Sequence, residues 1–265
     1  MAVPPVLRAD DWGGLLAVLA GRAGFPVMQS VDPQTAAAVL AAPAAIARWI
    51  AIHAPQLLSR PKLAVLVIGA ESSDAPDQGR WYQCIKPMLE FDGTLEVTLL
   101  GAELDLSTVS AAGALAPDTS ATAVRMLLAD FLNAAHDRFD LAVLFQPGFQ
   151  KHRGWLDASG IARLLAEGTL VMGSSYATDE YQMERWVLEC YGYRVSSECV
   201  LNPHFLELGD TTSSIQWGRA LWQIESAPPH GFQVDEKRLA ALDLLNRMVL
   251  HSMRSEEHTS ELQSH

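Results

Sequence analysis

The chain has 265 residues, 49% of them hydrophobic, enough to bury a sizeable core within a single α/β domain. Its 31 acidic against 19 basic residues leave a formal charge of −12. That balance excludes general binding to nucleic acid or to an anionic membrane, because both are held by Lys and Arg neutralising phosphates. Only Cys84, Cys190 and Cys199 are present, too few and too odd in number for a disulfide framework, and they suit a reducing cytoplasm.

The start carries no export signal, since Asp10 and Asp11 stand where positive charge would precede a longer apolar stretch. Asp10 or Asp11 is instead expected to cap a helix over Trp12 to Ala23, and Asp32-Pro33 to open a second, with Pro in the tolerated first turn. Pro43 is expected to split that second helix by removing one hydrogen bond and crowding the turn before it. Thr35 to Ala54 is the nearest approach to a membrane span, but Pro43, Arg48 and the many alanines read as a packed helix pair. Residues 1–59 are therefore expected to form a helical cap on the sheet.

Leu63 to Ile68 and Leu141 to Phe145 are short apolar runs without polar alternation, and Leu95 to Leu100, which carries Glu96 and Thr98, is read with them; all three are expected to be parallel strands covered on both faces. Between the first two, Arg80 to Phe91 carries Trp81, Cys84, Ile85, Met88 and Leu89 at helical spacing. Thr108 to Ser120 reads as a polar excursion, and Ala121 to His136 as a helix with Val124, Leu127, Leu128, Phe131 and Leu132 on one face. Trp155 to Glu167 is a further helix, and Leu170-Val171-Met172 a short strand ending at Gly173. Thr178 or Asp179 caps a helix to Tyr191, Cys199 to Leu208 is a strand interrupted at Asn202-Pro203, and Ala220 to Ile224 is an antiparallel edge. A helix over Asp235 to His251 closes the chain. The expected fold is α/β, Rossmann-like and three-layered, with a mostly parallel sheet and an N-terminal helical cap: one domain over 1–253, with sheet and crossover helices over 60–224 and the last helix over 235–251.

Residues 254–265 resemble the translated sequence of a sequencing-library adaptor and are set apart as a non-native tail, so the natural carboxyl terminus is expected to be lost. Without the tail's one Arg and three Glu the net charge is −10, and the acidic balance persists.

In open parallel sheets ligands lie beyond the carboxyl ends of the strands, which here carry Gly69-Ala70-Glu71, Gly101-Ala102-Glu103 and Gln146-Pro147-Gly148-Phe149. A dinucleotide or adenosyl cofactor calls for a glycine-rich turn after the first strand, whereas this turn has one glycine and two carboxylates, Glu71 and Asp74. Glu103 stands where a ribose-binding carboxylate sits in such folds. Gly148 can adopt a backbone conformation closed to other residues, and Lys151, His152 and Arg153 could hold an anion. Cys190, Cys199 and His204 are too widely spaced for a zinc site, and Gly-Ser-Ser-Tyr at 173–176 lacks the second glycine of a nucleophile elbow. Trp12, Trp49, Trp81 and Trp186 fall at helical positions and read as packing. No cofactor and no catalytic residue can be assigned.

Trp12 with Gly24-Phe25-Pro26, the two strands ending Gly-Ala-Glu, Phe139-Asp140-Leu141 running into Gln146-Pro147-Gly148-Phe149 and on to Trp155, Ser174-Ser175-Tyr176 with Glu180, and Asn202-Pro203-His204-Phe205 together resemble the carboxyl-terminal domain of the mitochondrial splicing suppressor proteins. That family also has bacterial members. The resemblance spans roughly residues 12 to 224 and implies a Rossmann-like domain without established catalytic residues. This chain departs from it at Gln146, where the family shows Asn, and at His204, which interrupts Asn-Pro-Phe; nothing has the cysteine spacing of the MYND finger that precedes the domain in eukaryotic members. The expected function is binding of a small ligand or protein partner by Glu71, Glu103, Gln146, Gly148, Tyr176 and Asn202 at the strand ends, in the cytoplasm and away from nucleic acid and membranes. A divergent S-adenosylmethionine-dependent methyltransferase is the alternative.

Overall fold

A computed structural model of the chain describes residues 12–21, 33–71, 76–105, 117–134, 138–156, 160–208 and 215–245. Leu63, Val65 and Val67 face one side of their strand and Leu66 and Ile68 the other, as alternate residues of a pleated strand must, and all five are buried. Both faces need helical cover. The first layer is supplied by α1 (Trp12–Ala20), α2 (Pro33–His53), a 3-10 segment over Pro76–Cys84 and α3 (Ile85–Leu89). The second comes from α4 (Leu128–Ala134), α5 (Ile161–Ala166), α6 (Thr178–Cys190) and α7 (236–245).

The strands are β1 (Lys62–Ile68), β2 (Thr94–Leu100), β3 (Thr119–Val124), β4 (Leu141–Phe145), β5 (Leu170–Ser175), β6 (Arg194–Val195), β7 (Val200–Leu201), β8 (Leu206–Leu208), β9 (Ile215–Trp217) and β10 (Ala220–Ser226). Their order is β3-β2-β1-β4-β5-β10-β6, with β7 also pairing β10 and with β8-β9 a separate antiparallel ribbon. Pairing is parallel from β3 through β5, whereas β10 runs antiparallel to both β5 and β6. The molecule is thus a mixed α/β protein with a mostly parallel central sheet between helices. Asp140 ties the lower ends of β1 and β4 together: its carboxylate accepts the Ala64 N–H at 2.8 Å and pairs with Arg60, while its backbone N–H donates to the Ala64 carbonyl.

Several expectations are corrected. Pro43 does not split α2, which runs unbroken through it. An interior proline costs about 3 kcal/mol, but α2 completely buries Leu40, Ile46 and Ile50 and leaves Trp49 1% exposed. Burial of such side chains is worth about 1.5–3 kcal/mol each. The amino-terminal helices α1 and α2 pack on the sheet, as members of one helical layer. Although Thr35–His53 is long and apolar enough to cross a membrane, 72% of it is buried inside the protein.

Thr119 to Val124 is a strand where a polar excursion and a helix were expected, and Leu127 is exposed instead of lying on a helix face. Thr, Ser and Ala on a half-buried edge strand give almost no hydrophobic signal, and α4 begins only at Leu128. β5 extends through Ser175, because the Trp222 indole packs flat against Gly173, where a Cβ would lie 2.3 Å from the ring. β10 is interior to the sheet and not its edge. The amino end of α6 follows Ala177 with no side-chain cap; Glu180 reaches back to the Tyr176 N–H at 2.6 Å. The proposed caps Asp10, Asp11 and Asp32, the tail at 254–265 and the end of the last helix lie outside the described residues.

Candidate functional site

Register places the strand ends on a common line. Leu100 pairs with both Ile68 and Val124, Ile68 with Leu144, Phe145 with Ser174, and Ala220 with both Ser175 and Leu201. The loops at these ends therefore share one rim in the order Glu103, Glu71, Gln146 and Gly148, Tyr176, then Asn202. Successive strands step outward in opposite directions from β1 and β4, so the topological switch point, where such sheets open a crevice, lies between Gly69 and Gln146.

On the β1 side the two Gly-Ala-Glu turns are explained by backbone crowding. Gly69 has φ +75°, and Gly101 packs so closely that a Cβ would fall 1.8 Å from the Ala70 carbonyl oxygen. Ala70 donates to the Leu100 carbonyl, which locks the turns together. Their glycines serve this contact, and Glu71 and Glu103 are left exposed on the rim.

On the β4 side Gln146 sits at φ +42°, a left-handed conformation that costs a residue other than glycine about 1–3 kcal/mol. Its amide donates to the Ser174 Oγ at 3.0 Å, while its Oε1 is buried and meets no donor among the described residues. Turning the amide over would only exchange the two ends, leaving its Nε2 in that position. Beyond it Gly148, at φ +58°, turns the chain so that Phe149 is fully buried.

The turn is pinned from below. Glu184 of α6, 2% exposed, accepts the Phe149 N–H at 3.0 Å and also that of Gly148. Burial pushes its carboxyl up to about 7; the charge of Glu180 one turn earlier acts in the same direction, and the two N–H bonds oppose it. Burial likewise raises Glu180, against the pull of the Tyr176 N–H. Ser175 accepts the Trp222 indole N–H at 2.9 Å, and Tyr181 bonds the Ser196 carbonyl. Ser174 and Ser175 are both completely buried, and their hydroxyls accept from the Gln146 amide and the Trp222 indole.

The crevice itself is occupied by protein. The Trp155 indole lies against Gly69, 2.3 Å from where a Cβ would be, with the Phe149 ring edge-on at 6.5 Å and the His152 ring stacked at 6.2 Å. The basic trio does not converge: Arg153 pairs with Asp243 on α7, His152 stacks on Trp155, and Lys151 is exposed. Asn202 is bonded inside the fold. It is 1% exposed, and its amide donates to the carbonyls of His204 and Gly218 at 3.1 Å while accepting the His204 N–H. It locks the turn between β7 and β8. Among the described residues no group of three His, Cys, Asp or Glu side chains is placed to hold a metal.

Sequence reasoning passed over Glu184 and the position of Trp155. Glu184 had a signal, since it interrupts the buried stripe Tyr181, Val187, Leu188 of α6 at a position where an apolar residue belongs. Trp155 was seen as the end of the Gln146 segment, but its place against Gly69 could not be read, because it joins two segments distant in sequence.

No family model and no curated protein matches the chain. Among solved structures it is similar to MnmC2 from Aquifex aeolicus, with 12% identity over 72% of this chain and 61% of the other and a TM-score of 0.33. It is also similar to a "putative methyltransferase from Thermoplasma acidophilum", with 18% identity over 63% of this chain and 70% of the other and a TM-score of 0.34. The chain spans about three fifths of the length of the first. The fold class rests on this chain's own strand order, which is that of a Rossmann-like α/β protein.

Proposed function

We propose that the chain is a binding protein that takes a small ligand at the switch point between β1 and β4. One observation supports this reading: on the β4 turn of the strand-end rim Gln146 is held in a strained backbone conformation, and its amide, bonded to Ser174 of β5, keeps one buried atom without a partner among the described residues. Strain and an orphaned polar group each cost stability, and a ligand group that answers the free end of the amide is a physical reason to keep both. Glu71 and Glu103 stand on the neighbouring loops, and Tyr176 on the far side. The test is fluorine NMR of protein labelled with 5-fluorotryptophan, titrated with a panel of amines, nucleosides, amides and carboxylates. The Trp155 resonance, assigned by Trp155→Phe, is expected to shift with at least one of them. A panel that moves only other tryptophans, or none, would refute rim binding.

A second reading is favoured by one feature. A reversed strand set between the fifth and last parallel strands, as β10 is here, is the arrangement of Rossmann-like methyltransferases. In that reading Glu103 would hold a ribose and Gln146 to Phe149 would lie beside the transferred group. The single glycine of the first turn and the indole over it weigh on the other side. Calorimetry with S-adenosylmethionine and its demethylated product decides, since the absence of heat at millimolar ligand removes the enzyme. Kinship with the splicing suppressor domains and a cytoplasmic setting are likewise proposals, resting on the motif order and on the sparse, odd set of cysteines.

A further inference from the structure

Two neighbouring turns of the rim hang on one helix. Glu180, in the first turn of α6, accepts the N–H of Tyr176 just after β5 at 2.6 Å. Glu184, one turn later, accepts the N–H groups of Gly148 and Phe149 after β4, the latter at 3.0 Å. Residues four apart on a helix stand ~5–6 Å from each other, and the charge of Glu180 reaches Glu184. Glu184 is 2% exposed and Glu180 is half-buried. The cations on the elements around them are placed elsewhere: Arg153 on Asp243, Arg185 on Glu189, Arg219 over the Phe205 ring, His152 on the Trp155 ring, and Lys151 at the surface. β5 and β10 bring neutral groups to the buried side of these turns, Ser174, Ser175 and Trp222, and the Tyr181 phenol is bonded to the Ser196 carbonyl. Asp179, exposed beside Glu180, adds charge of the same sign. Two like charges at this spacing, one of them enclosed, are costly to carry together without a cation, so the pair favours holding a proton. The turn that Glu184 holds is strained, with Gln146 at φ +42°, and so gains by leaving once its hold weakens.

We propose that Glu180 and Glu184 form a proton-operated clamp: one proton held by the pair keeps the turns after β4 and β5 seated together on α6, and its loss as pH rises frees the Gly148-Phe149 turn. The device is a property of the fold and stands whether or not the rim takes a ligand. The proton resides chiefly on Glu184, because Glu180 lies in the first turn of α6, where the helix dipole and partial exposure favour a charge. In a released turn water reaches Glu184, and its carboxyl ionises at the ordinary value, so the seated state binds the proton more tightly. Seating is therefore strongest below the ordinary carboxylate range and weakens about tenfold per pH unit as that proton is lost. The weakening levels off above about 7, the value to which burial and the Glu180 charge lift Glu184.

The test is backbone NMR of the full chain across mildly acidic to mildly alkaline pH, following the Gly148, Phe149 and Tyr176 amides and their protection from solvent exchange. The three amide signals should titrate with a common midpoint. Protection of Gly148 and Phe149, corrected for intrinsic exchange, should fall about tenfold per pH unit below that midpoint and level off above it, while the amides of Leu66 and Val143 in the sheet keep theirs. Glu180→Gln retains an acceptor for Tyr176 and removes the like charge, so the midpoint at Phe149 should drop by about one pH unit, a tenfold loss of proton affinity. Glu184→Gln should abolish the pH dependence at Gly148 and Phe149 and lower the midpoint at Tyr176; if it fails to fold, Glu180→Gln decides alone. A Phe149 midpoint indifferent to Glu180→Gln overturns the shared proton. Protection of Gly148 and Phe149 that is flat or rises with pH overturns the release. Loss of protection at Leu66 and Val143 in step with the turn means global unfolding, and overturns the clamp as a local device.

Discussion

Replacing Glu184 by Gln tests how the turn carrying Gln146 is held. The carboxyl of Glu184 rises from 4.5 in the ordinary case to about 7, chiefly through burial. A carboxyl whose folded value exceeds its unfolded one binds its proton more tightly in the folded state, so folding is favoured as pH falls through about 7 and the gain is complete below 4.5. At 1.36 kcal/mol per pH unit, that interval corresponds to about 3 kcal/mol of stability gained from alkaline to mildly acidic conditions. Glu180 acts in the same direction. Glu184→Gln removes the titration while leaving a carbonyl oxygen that can accept the Phe149 N–H. Urea unfolding at pH 8, 7, 6 and 5 should therefore show the difference between wild type and variant moving toward wild type by about 3 kcal/mol as pH falls. Parallel pH profiles for the two proteins would refute the reasoning, and with it the claim that a buried carboxylate secures the Gly148-Phe149 turn.

Gly101→Ala should cost more than about 3 kcal/mol, because the new methyl meets the Ala70 carbonyl, backbone that cannot step aside; thermal melts would check this. Asp140→Ala leaves the Ala64 N–H and Arg60 without their partner and should lower stability by about 1–3 kcal/mol in urea titrations. Burial pushes the Cys84 thiol up to about 12, so it should stay unreactive toward an aromatic disulfide reagent at pH 8 until the chain is unfolded. Half-buried Cys199 should react first. Mass spectrometry of the modified peptides would decide the order.

How far the fold could be read from residues depends on how each element achieves its burial. β1 and β4 declared themselves because strands covered on both faces are apolar at almost every position, as 63–68 and 141–145 are, while β2 shows the alternation of a strand buried on one face, with Leu95, Val97 and Leu99 inward and Glu96 and Thr98 on its half-covered face. β3 was hidden because an edge strand needs only one half-covered face, which Thr and Ala can supply. The interior place of β10 could not be seen at all, since a strand's neighbours depend on pairing across distant sequence. The rim was legible for the same reason as the strands: each apolar run stops at its turn. What the turns do was less so. Asn202 and Arg153 have the letters of recognition, yet the partners that claim them, Gly218 and Asp243, lie 16 and 90 positions away.

The reversed strand also sets a schedule for synthesis. Residues 220–226 are the neighbour of β5 on one side and of β6 on the other, so a ribosome that has made β1 to β5 exposes an open row of peptide groups along Leu170–Ser175 with nothing yet to cover it. Such an edge invites pairing with another nascent copy. Chains cut short before Ala220 should then aggregate, and the yield of soluble protein should depend on how quickly the residues beyond Ser175 emerge from the ribosome.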